Sequence, residues 1–115
     1  MAKTIKIINY DSDNDIFSFS NSEKVKASLD IGDFVLDVDH NNLICGIEIM
    51  DASENLGISR DVLGNIKSMR MSVNYKTDHV YVLLMISFKK DEKDVNITLP
   101  LTLNQNNLKI SFKHE

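Results

Sequence analysis

This sequence has few of the residues that build disulfide frameworks or phosphate-binding loops. Its 115 residues include one cysteine, one proline, four glycines and no tryptophan. One cysteine excludes an internal disulfide framework and fits a reducing cytoplasm. Four glycines are too few for a glycine-rich phosphate loop of the standard form. The longest apolar run, residues 80–88, has the length of a strand, well short of the roughly 18 residues that span a bilayer. We therefore expect a cytoplasmic protein without a membrane segment.

The charged residues are divided unevenly along the chain. The formal net charge is −4; residues 1–57 hold eleven acids against four lysines, and residues 58–115 hold six acids against nine lysines and arginines. The acidic balance argues against a nucleic-acid binder, although six side chains of the second half can form a basic patch: Lys67, Arg70, Lys76, Lys89, Lys90 and Lys93. The two halves can attract each other or offer different faces to partners, and solvated surface charge is the simplest explanation.

Apolar residues recur with the period of two that is typical of β-strands. The strongest signal is a hairpin in residues 34–50, with its turn over residues 40–42. In the first strand, Ile5 and Ile7 are expected on the same face. Residues 79–88 are apolar on both faces, which indicates a central strand or one covered by helices. Besides the hairpin, strands are predicted at residues 3–10, 16–19, 24–31, 69–75, 79–88, 95–103 and 108–112.

Two short helices are predicted between the strand sets. Asp51, with Glu54 three residues later, has the spacing of a capping box, and Gly57 would end that helix. Ser59 can cap a second helix that reaches Ile66. Neither helix is long enough to be stable alone, so both must pack on a sheet.

The expected fold is α+β and mostly β. We expect an antiparallel sheet curled into a roll or a two-layer sandwich, with one or two short helices between the N-terminal and C-terminal strand sets. Pro100 cannot donate to a ladder, so its strand is expected at an edge or with a bulge at that point. No repeat, low-complexity tract or linker divides the sequence, which predicts a single domain over residues 1–115.

Two segments resemble a known family. Residues 10–17 read YDSDNDIF, an aromatic–Asp turn with further acids before an apolar strand, and residues 46–53 read GIEIMDAS. Together they resemble the Domain of Unknown Function 2283 family over roughly residues 5–55. The C-terminal half, after about Ile66, is unmatched. The family usually has Gly where this chain has Asn42, and Asn is the next-best residue for a left-handed turn position.

The resemblance implies a fold more than an activity. Some bacterial members of the family are encoded beside toxin-like genes. This implies a protein partner and, by extension, an antitoxin-like role.

Acidic residues form two candidate metal sites, of which the first lies in a turn. Asp11, Asp13 and Asp15 are carboxylates at alternate positions and can supply oxygen ligands to calcium or magnesium. Ile16 stands where a calcium-binding loop needs glycine. A solvated hairpin turn explains the same residues, because turns favour Asp and Asn.

The second candidate site comprises Asp37, Asp39 and Glu48, together with Asp51. Closing the hairpin turn places Glu48 opposite residues 34–35, so the carboxylates are expected to lie diagonally across two strands. Such a cluster can perform acid–base chemistry or hold a divalent ion. Alternatively, Asp39 caps the turn, Asp37 is solvated, and Glu48 pairs with a lysine or caps the helix start.

The remaining reactive residue types do not form a recognisable constellation. Cys45 is expected on the same buried face as Leu43 and Ile47 and is interpreted as a small core residue. None of the three histidines is spaced for metal binding with another histidine or with Cys45: His40, His79 and His114.

These observations predict a non-enzymatic binding or interaction module that needs no cofactor. It would act through a protein partner or through self-association. The edge near Pro100 or the final strand is the expected contact. The alternative is a divalent-metal-binding protein or a metal-dependent enzyme that uses Asp37, Asp39 and Glu48.

Overall fold

Residues 2–90 and 94–103, which the computed structural model describes, form nine strands and two helices. In chain order these are β1 (Lys3–Thr4), β2 (Ile7–Asp11), β3 (Ile16–Ser20), β4 (Val25–Ile31), β5 (Phe34–Asp39), β6 (Ile44–Ile49), α1 (Ala52–Leu56), α2 (Arg60–Leu63), β7 (Ile66–Tyr75), β8 (His79–Phe88) and β9 (Asp94–Thr102). The predicted strand at residues 108–112 and the basic residue Lys93 lie outside the described residues.

The strands form two antiparallel sheets. The five-stranded sheet has the order β2-β3-β6-β5-β4, and the four-stranded sheet has the order β1-β7-β8-β9. Both helices lie in sequence between β6 and β7. The predicted α+β, mostly β fold is therefore confirmed. In the described part of the chain, neither helix has the length and hydropathy needed to cross a membrane.

The β5–β6 hairpin lies in the middle of the five-stranded sheet. Leu36 pairs with Ile47. Glu48 lies opposite Val35, which is within the predicted range of residues 34–35. The turn contains Asn42 with a φ of 60°. This confirms the prediction that Asn42 takes the left-handed turn position, which residues other than Gly rarely adopt.

The predicted first strand is divided between the two sheets. β1 pairs with β7, whereas β2 pairs with β3. The chain crosses over at Ile5, whose N–H donates to the carbonyl of Met69 at 3.0 Å, and at Lys6, whose N–H donates to that of Ser20 at 3.1 Å. Ile5 is buried but Ile7 is 53% exposed. The prediction that they lie on the same face of one strand is wrong, because the chain passes from one sheet to the other between them.

The two sheets share one hydrophobic core. It contains the inward residues of β3, β5 and β6 together with those of β7, β8 and β9, including Phe17, Leu36, Ile47, Met69, Val82, Leu84 and Ile86. The Tyr75 hydroxyl accepts a hydrogen bond of 2.8 Å from the N–H of Ile44. A polar contact therefore links β7 to β6 across the buried space.

The helices begin and end with only part of the predicted capping. Gly57 ends α1 with a φ of 67°, and the Ser59 side chain accepts from the N–H of Val62, as predicted. Asp51 has a left-handed backbone, and its side chain makes no capping hydrogen bond. The predicted capping box of Asp51 and Glu54 is therefore wrong. The prediction that the second helix reaches Ile66 is wrong: α2 ends at Leu63 with Gly64 as its C-cap, and Ile66 is the first residue of β7.

β8 is the central strand predicted from its apolar residues. It lies between β7 and β9, and Val82, Leu84 and Ile86 on its inner face are fully buried. β9 is at the end of the four-stranded sheet as far as the chain is described, and Pro100 lies opposite Tyr81.

Candidate functional site

Asp15 joins the turn before β3 to the start of α1. It is 4% exposed. Its carboxylate accepts hydrogen bonds from the Tyr10 hydroxyl at 2.6 Å and from the N–H and hydroxyl of Ser53 at 3.1 and 2.7 Å. Its carbonyl oxygen accepts from the N–H of Ala52 at 2.9 Å, and the Nε of Arg60 lies 3.9 Å from the carboxylate. Asp15 therefore caps the first turn of α1 from a different part of the chain.

The surroundings of Asp15 favour its ionised form. Burial alone would raise the pKa of its carboxyl, but hydrogen bonds from Ser53 and Tyr10 and the charge of Arg60 outweigh burial, so the pKa is lowered. Burial and the bond to Asp15 raise the pKa of Tyr10 to about 12. At neutral pH a neutral phenol therefore donates to a charged carboxylate.

The other acids of the predicted turn site make different contacts. The Asp11 carboxylate accepts from the N–H of Asp13 at 3.1 Å and from the side-chain amide of Asn14 at 2.8 Å. The bonds from Asn14 lower the pKa of Asp11. Asp11 thus holds the turn itself, whereas Asp15 holds the turn against α1. Ion binding by Asp11, Asp13 and Asp15 stays a prediction.

Two residues of the second predicted site meet at a depression on the outer face of the five-stranded sheet. Asp37 and Glu48 both line it, and the Ser28 hydroxyl donates to Asp37 at 2.8 Å. The depression has a volume of about 300 Å³, and its lining combines carboxylates, hydroxyls and apolar atoms: Ile7, Ser18, Phe19, Ser20, Asp37, Ile47 and Glu48. This arrangement can attract a cation or a ligand that carries hydrogen-bond donors.

Gly46 lies opposite Ser20 and Asp37 in this part of the sheet. A Cβ atom at position 46 would lie 3.0 Å from the Cβ of Ser20, 3.1 Å from the carbonyl oxygen of Phe19 and 3.2 Å from a carboxylate oxygen of Asp37. These separations are tighter than ordinary contacts. Glycine at this position therefore lets the Asp37 side chain lie across β6.

Asp39 and Asp51 lie elsewhere. Asp39 is buried, and its carboxylate accepts from the N–H of Asn41 at 2.8 Å and of Leu43 at 3.1 Å. It caps the turn between β5 and β6. Asp51 is exposed at the start of α1. Across residues 2–90 and 94–103, no three His, Cys, Asp or Glu side chains form a group that could hold a metal ion.

Cys45 is buried, as predicted, at an irregularity in β6. The pairing passes from Asp37 opposite Gly46 to Val38 opposite Ile44, so Cys45 is the extra residue of a bulge. Its thiol donates to the carbonyl of Asp37 at 3.4 Å. Burial, with smaller contributions from Asp39 and Asp37, raises the pKa of this thiol to about 11. The unreactive thiol form therefore dominates at neutral pH.

A second surface lies on the outer face of the four-stranded sheet. Tyr81, Leu83 and Met85 alternate with the buried residues of β8, are half-buried, and do not belong to the hydrophobic core. We call these three residues the β8 stripe. The sequence showed that these residues are apolar, but it could not show that they form a surface. Apolar residues on both faces of a strand are equally typical of a strand covered by helices.

Mainly uncharged polar residues border the β8 stripe. Its cross-strand neighbours are Arg70, Ser72 and Asn74 on β7, and Asn96, Thr98 and Pro100 on β9. Outward-facing residues directly opposite one another on β7, β8 and β9 form a row across the sheet. In the row next to that of Met85, the Ser87 hydroxyl donates to the Asp94 carboxylate at 2.8 Å. Arg70 and Asp94 thus place opposite charges on opposite sides of the stripe.

Comparison with known proteins finds one matching family model and two relatives. The model described as "Protein of unknown function (DUF2283)" matches residues 7–53. A Methanosarcina mazei protein named "Putative hypoxanthine phosphoribosyltransferase" is 32% identical over 105 residues, which are 90% of this chain and 85% of that protein. An uncharacterized protein of Methanocaldococcus jannaschii is 36% identical over 61 residues, 51% of this chain and 53% of that protein. No solved structure matches.

Proposed function

The chain belongs to the family described as "Protein of unknown function (DUF2283)", and we propose that it is a non-enzymatic interaction module that binds protein through the β8 stripe. The observation that carries this proposal is the position of Tyr81, Leu83 and Met85. They lie on the central strand of a sheet, half-buried and outside the hydrophobic core. Single exposed apolar residues are normal, but these three are neighbours on one face of β8 and form a contiguous patch.

The composition of the stripe and its border supports a protein surface as the ligand. Tyr, Met and Arg are enriched in protein interfaces, and an apolar centre with a polar rim is their usual organisation. The β8 stripe supplies the apolar centre. Arg70, Ser72, Asn74 and Thr98 supply hydrogen-bonding groups around it. We place this activity in the cytoplasm, which suits a chain with a single cysteine.

The activity in the name of the Methanosarcina mazei relative involves a nucleotide, and this chain does not show the sequence pattern that usually holds nucleotide phosphates. Phosphate groups of nucleotides are usually held by backbone N–H groups of glycine-rich turns at helix N-termini. The glycines of this chain stand singly, at positions 32, 46, 57 and 64. The two helices of the described residues have five and four residues.

A site-specific photo-crosslinker tests the proposal in the cells that make the protein. We expect a crosslinker at position 83 to give a discrete product of higher mass. The same group at position 35 is the matched control, since Val35 is half-buried on the outer face of the other sheet. Met85→Lys should suppress the product from position 83, because it charges the stripe without entering the core. Equal products from both positions, or none from position 83, would refute the proposal.

A second candidate function is supported by the depression between Asp37 and Glu48. Two carboxylates and two serine hydroxyls line it, and oxygen atoms are the ligands that calcium and magnesium prefer. We propose divalent-cation binding, or metal-dependent chemistry, at this depression as the alternative. Backbone amide shifts near residues 37 and 48 during calcium, magnesium and manganese titrations test it. The shifts should be lost in Glu48→Gln, and no response at millimolar metal would reject the alternative.

A further inference from the structure

We infer that the partner of the β8 stripe is a second copy of this chain, bound face to face about a twofold axis that runs along β8. This inference rests on the proposed function and adds to it the identity of the partner. It is carried by the order of the strands and by the positions of two charges, Arg70 and Asp94, on either side of the stripe.

The strand order makes the outer face suitable for self-pairing. β8 has β7 on one side and β9 on the other. A twofold axis between two facing sheets, roughly parallel to β8, sets β8 against β8 and β7 against β9. Each residue row then meets the same row of the other copy, so Tyr81, Leu83 and Met85 each meet their own counterparts. Such an isologous contact is the commonest kind in homodimers.

The bordering residues are compatible in this arrangement. Ser72 of one copy lies across from Thr98 of the other, and Arg70 lies across from Asn96, because these pairs flank the same residues of β8. Each of these pairs can form hydrogen bonds. Within each copy, Tyr81 lies between Asn74 and Pro100. The Tyr81 ring therefore lies beside Pro100 of its own copy and faces Tyr81 of the other copy.

The two charges select the direction of the axis. Asp94 is opposite Ser87, one row beyond Met85, and Arg70 is opposite Met85. With the axis along β8, Asp94 of one copy is one row, or about 7 Å, from the position across from Arg70 of the other. An arginine side chain spans that offset, so the dimer contains two equivalent ion pairs.

A twofold axis across the strands would lose this match. It would exchange the row of Met85 with the row of Tyr81 about Leu83. Arg70 would then face Asn74, and Asp94 would face Thr102, since Thr102 pairs with His79 two rows beyond Leu83. Charge complementarity therefore favours the axis along β8.

The size of the face indicates a weak dimer. Three strands spaced by about 4.8 Å and five rows spaced by about 6.8 Å cover about 490 Å² of each copy. The total of about 1,000 Å² is at the lower limit for specific interfaces. We therefore expect a reversible association that depends on protein concentration and weakens as salt screens the ion pairs.

Charge exchange between two variants tests the arrangement by sedimentation equilibrium. Arg70→Glu sets two carboxylates against each other at both ion pairs, and Asp94→Lys sets two cations against each other. Each variant alone should dimerise at least about tenfold more weakly than the unmodified chain. An equimolar mixture should recover the affinity of the unmodified chain, because every contact between unlike variants pairs opposite charges.

Control variants and the crosslinking experiment distinguish the possible outcomes. Lys89→Glu changes the net charge as Arg70→Glu does, but at an exposed position beyond the stripe, and should leave the dimer unchanged. Dimerisation that is abolished by Leu83→Lys but insensitive to both charge variants would overturn the axis along β8. A monomer at every concentration would overturn self-association, while the proposed function would stand if position 83 crosslinked to another protein. The absence of any crosslink at position 83 would overturn both.

Discussion

The Ser53 hydroxyl donates a 2.7 Å hydrogen bond to the Asp15 carboxylate across 38 residues of sequence. Asp15 also accepts from Tyr10, so the contact joins the two segments in which the chain resembles its family. The family model ends at residue 53, the residue that completes this contact. The two segments that carry the resemblance, the aromatic–Asp turn and the segment that ends at Ser53, are therefore joined by one set of hydrogen bonds.

Replacing Asp15 should destabilise the fold. Asp15→Ala leaves the Ser53 N–H and the Tyr10 hydroxyl without their acceptor and places Ala at a φ of 55°. Hydrogen bonds to charged groups contribute about 1.5–3 kcal/mol each, and these losses are not additive, so we expect about 3 kcal/mol less unfolding free energy. Urea denaturation measures this loss of unfolding free energy. Asp15→Asn tolerates the left-handed backbone and keeps one acceptor, so it should lose about half as much. Equal losses would argue against the role of the charge.

The contribution of Asp15 should disappear in acid. Its pKa is lowered in the folded protein, so the unfolded chain binds the proton more tightly and stability rises with pH over this range. The contribution is complete above the unfolded pKa of about 3.9 and is lost as pH falls towards the folded value. The difference in unfolding free energy between the unmodified chain and Asp15→Asn should therefore shrink from about pH 7 to about pH 3. Asp11 also has a lowered pKa, but it is present in both proteins and cancels. A difference independent of pH would contradict the assignment.

Local sequence patterns predicted the features that depend on near neighbours. The left-handed Asn42, the cap at Ser59 and the position of Glu48 opposite Val35 all follow from short-range turn chemistry and strand alternation. The central place of β8 follows from its apolar residues on both faces. For the candidate site, the sequence predicted Glu48 opposite residues 34–35 and hence diagonal to Asp37, and the structure places both side chains in the lining of one depression.

Features that depend on distant parts of the chain could not be predicted in this way. Asp51 has the local spacing of a cap, but Asp15 takes that role from the turn before β3. The passage between sheets at Ile5 depends on Met69, and nothing within residues 3–10 indicates it. The β8 stripe could not be predicted as a surface, because alternation of apolar residues does not show whether another element covers the outer face of the strand.

The hydrogen bond between Ile44 and Tyr75 should contribute measurably to the contact between the sheets. Tyr75→Phe keeps the ring but leaves the buried N–H of Ile44 without this acceptor. An unsatisfied buried donor costs about 1–3 kcal/mol, so the unfolding free energy should fall by about 2 kcal/mol. Amide hydrogen exchange at Ile44 should accelerate more than at Ile47. The control is Tyr81→Phe, which removes a hydroxyl outside the core and should change stability by less than about 0.5 kcal/mol. Similar losses in both variants would show that the contact is not the cause.

Gly46 should be intolerant of even one added methyl group. In Gly46→Ala the new Cβ would meet Ser20, Phe19 and Asp37 at 3.0 to 3.2 Å. The central strands must shift or the Asp37 side chain must move, and overpacking of this kind costs about 1–3 kcal/mol. Gly64→Ala is the matched control, because its Cβ would be 3.5 Å or more from its neighbours and its φ is −73°. That substitution should be neutral or stabilise by about 0.5 kcal/mol through the unfolded state. Thermal and urea denaturation of both variants measures the difference, and a Gly46→Ala protein as stable as Gly64→Ala would show that β6 has room for a side chain at this point.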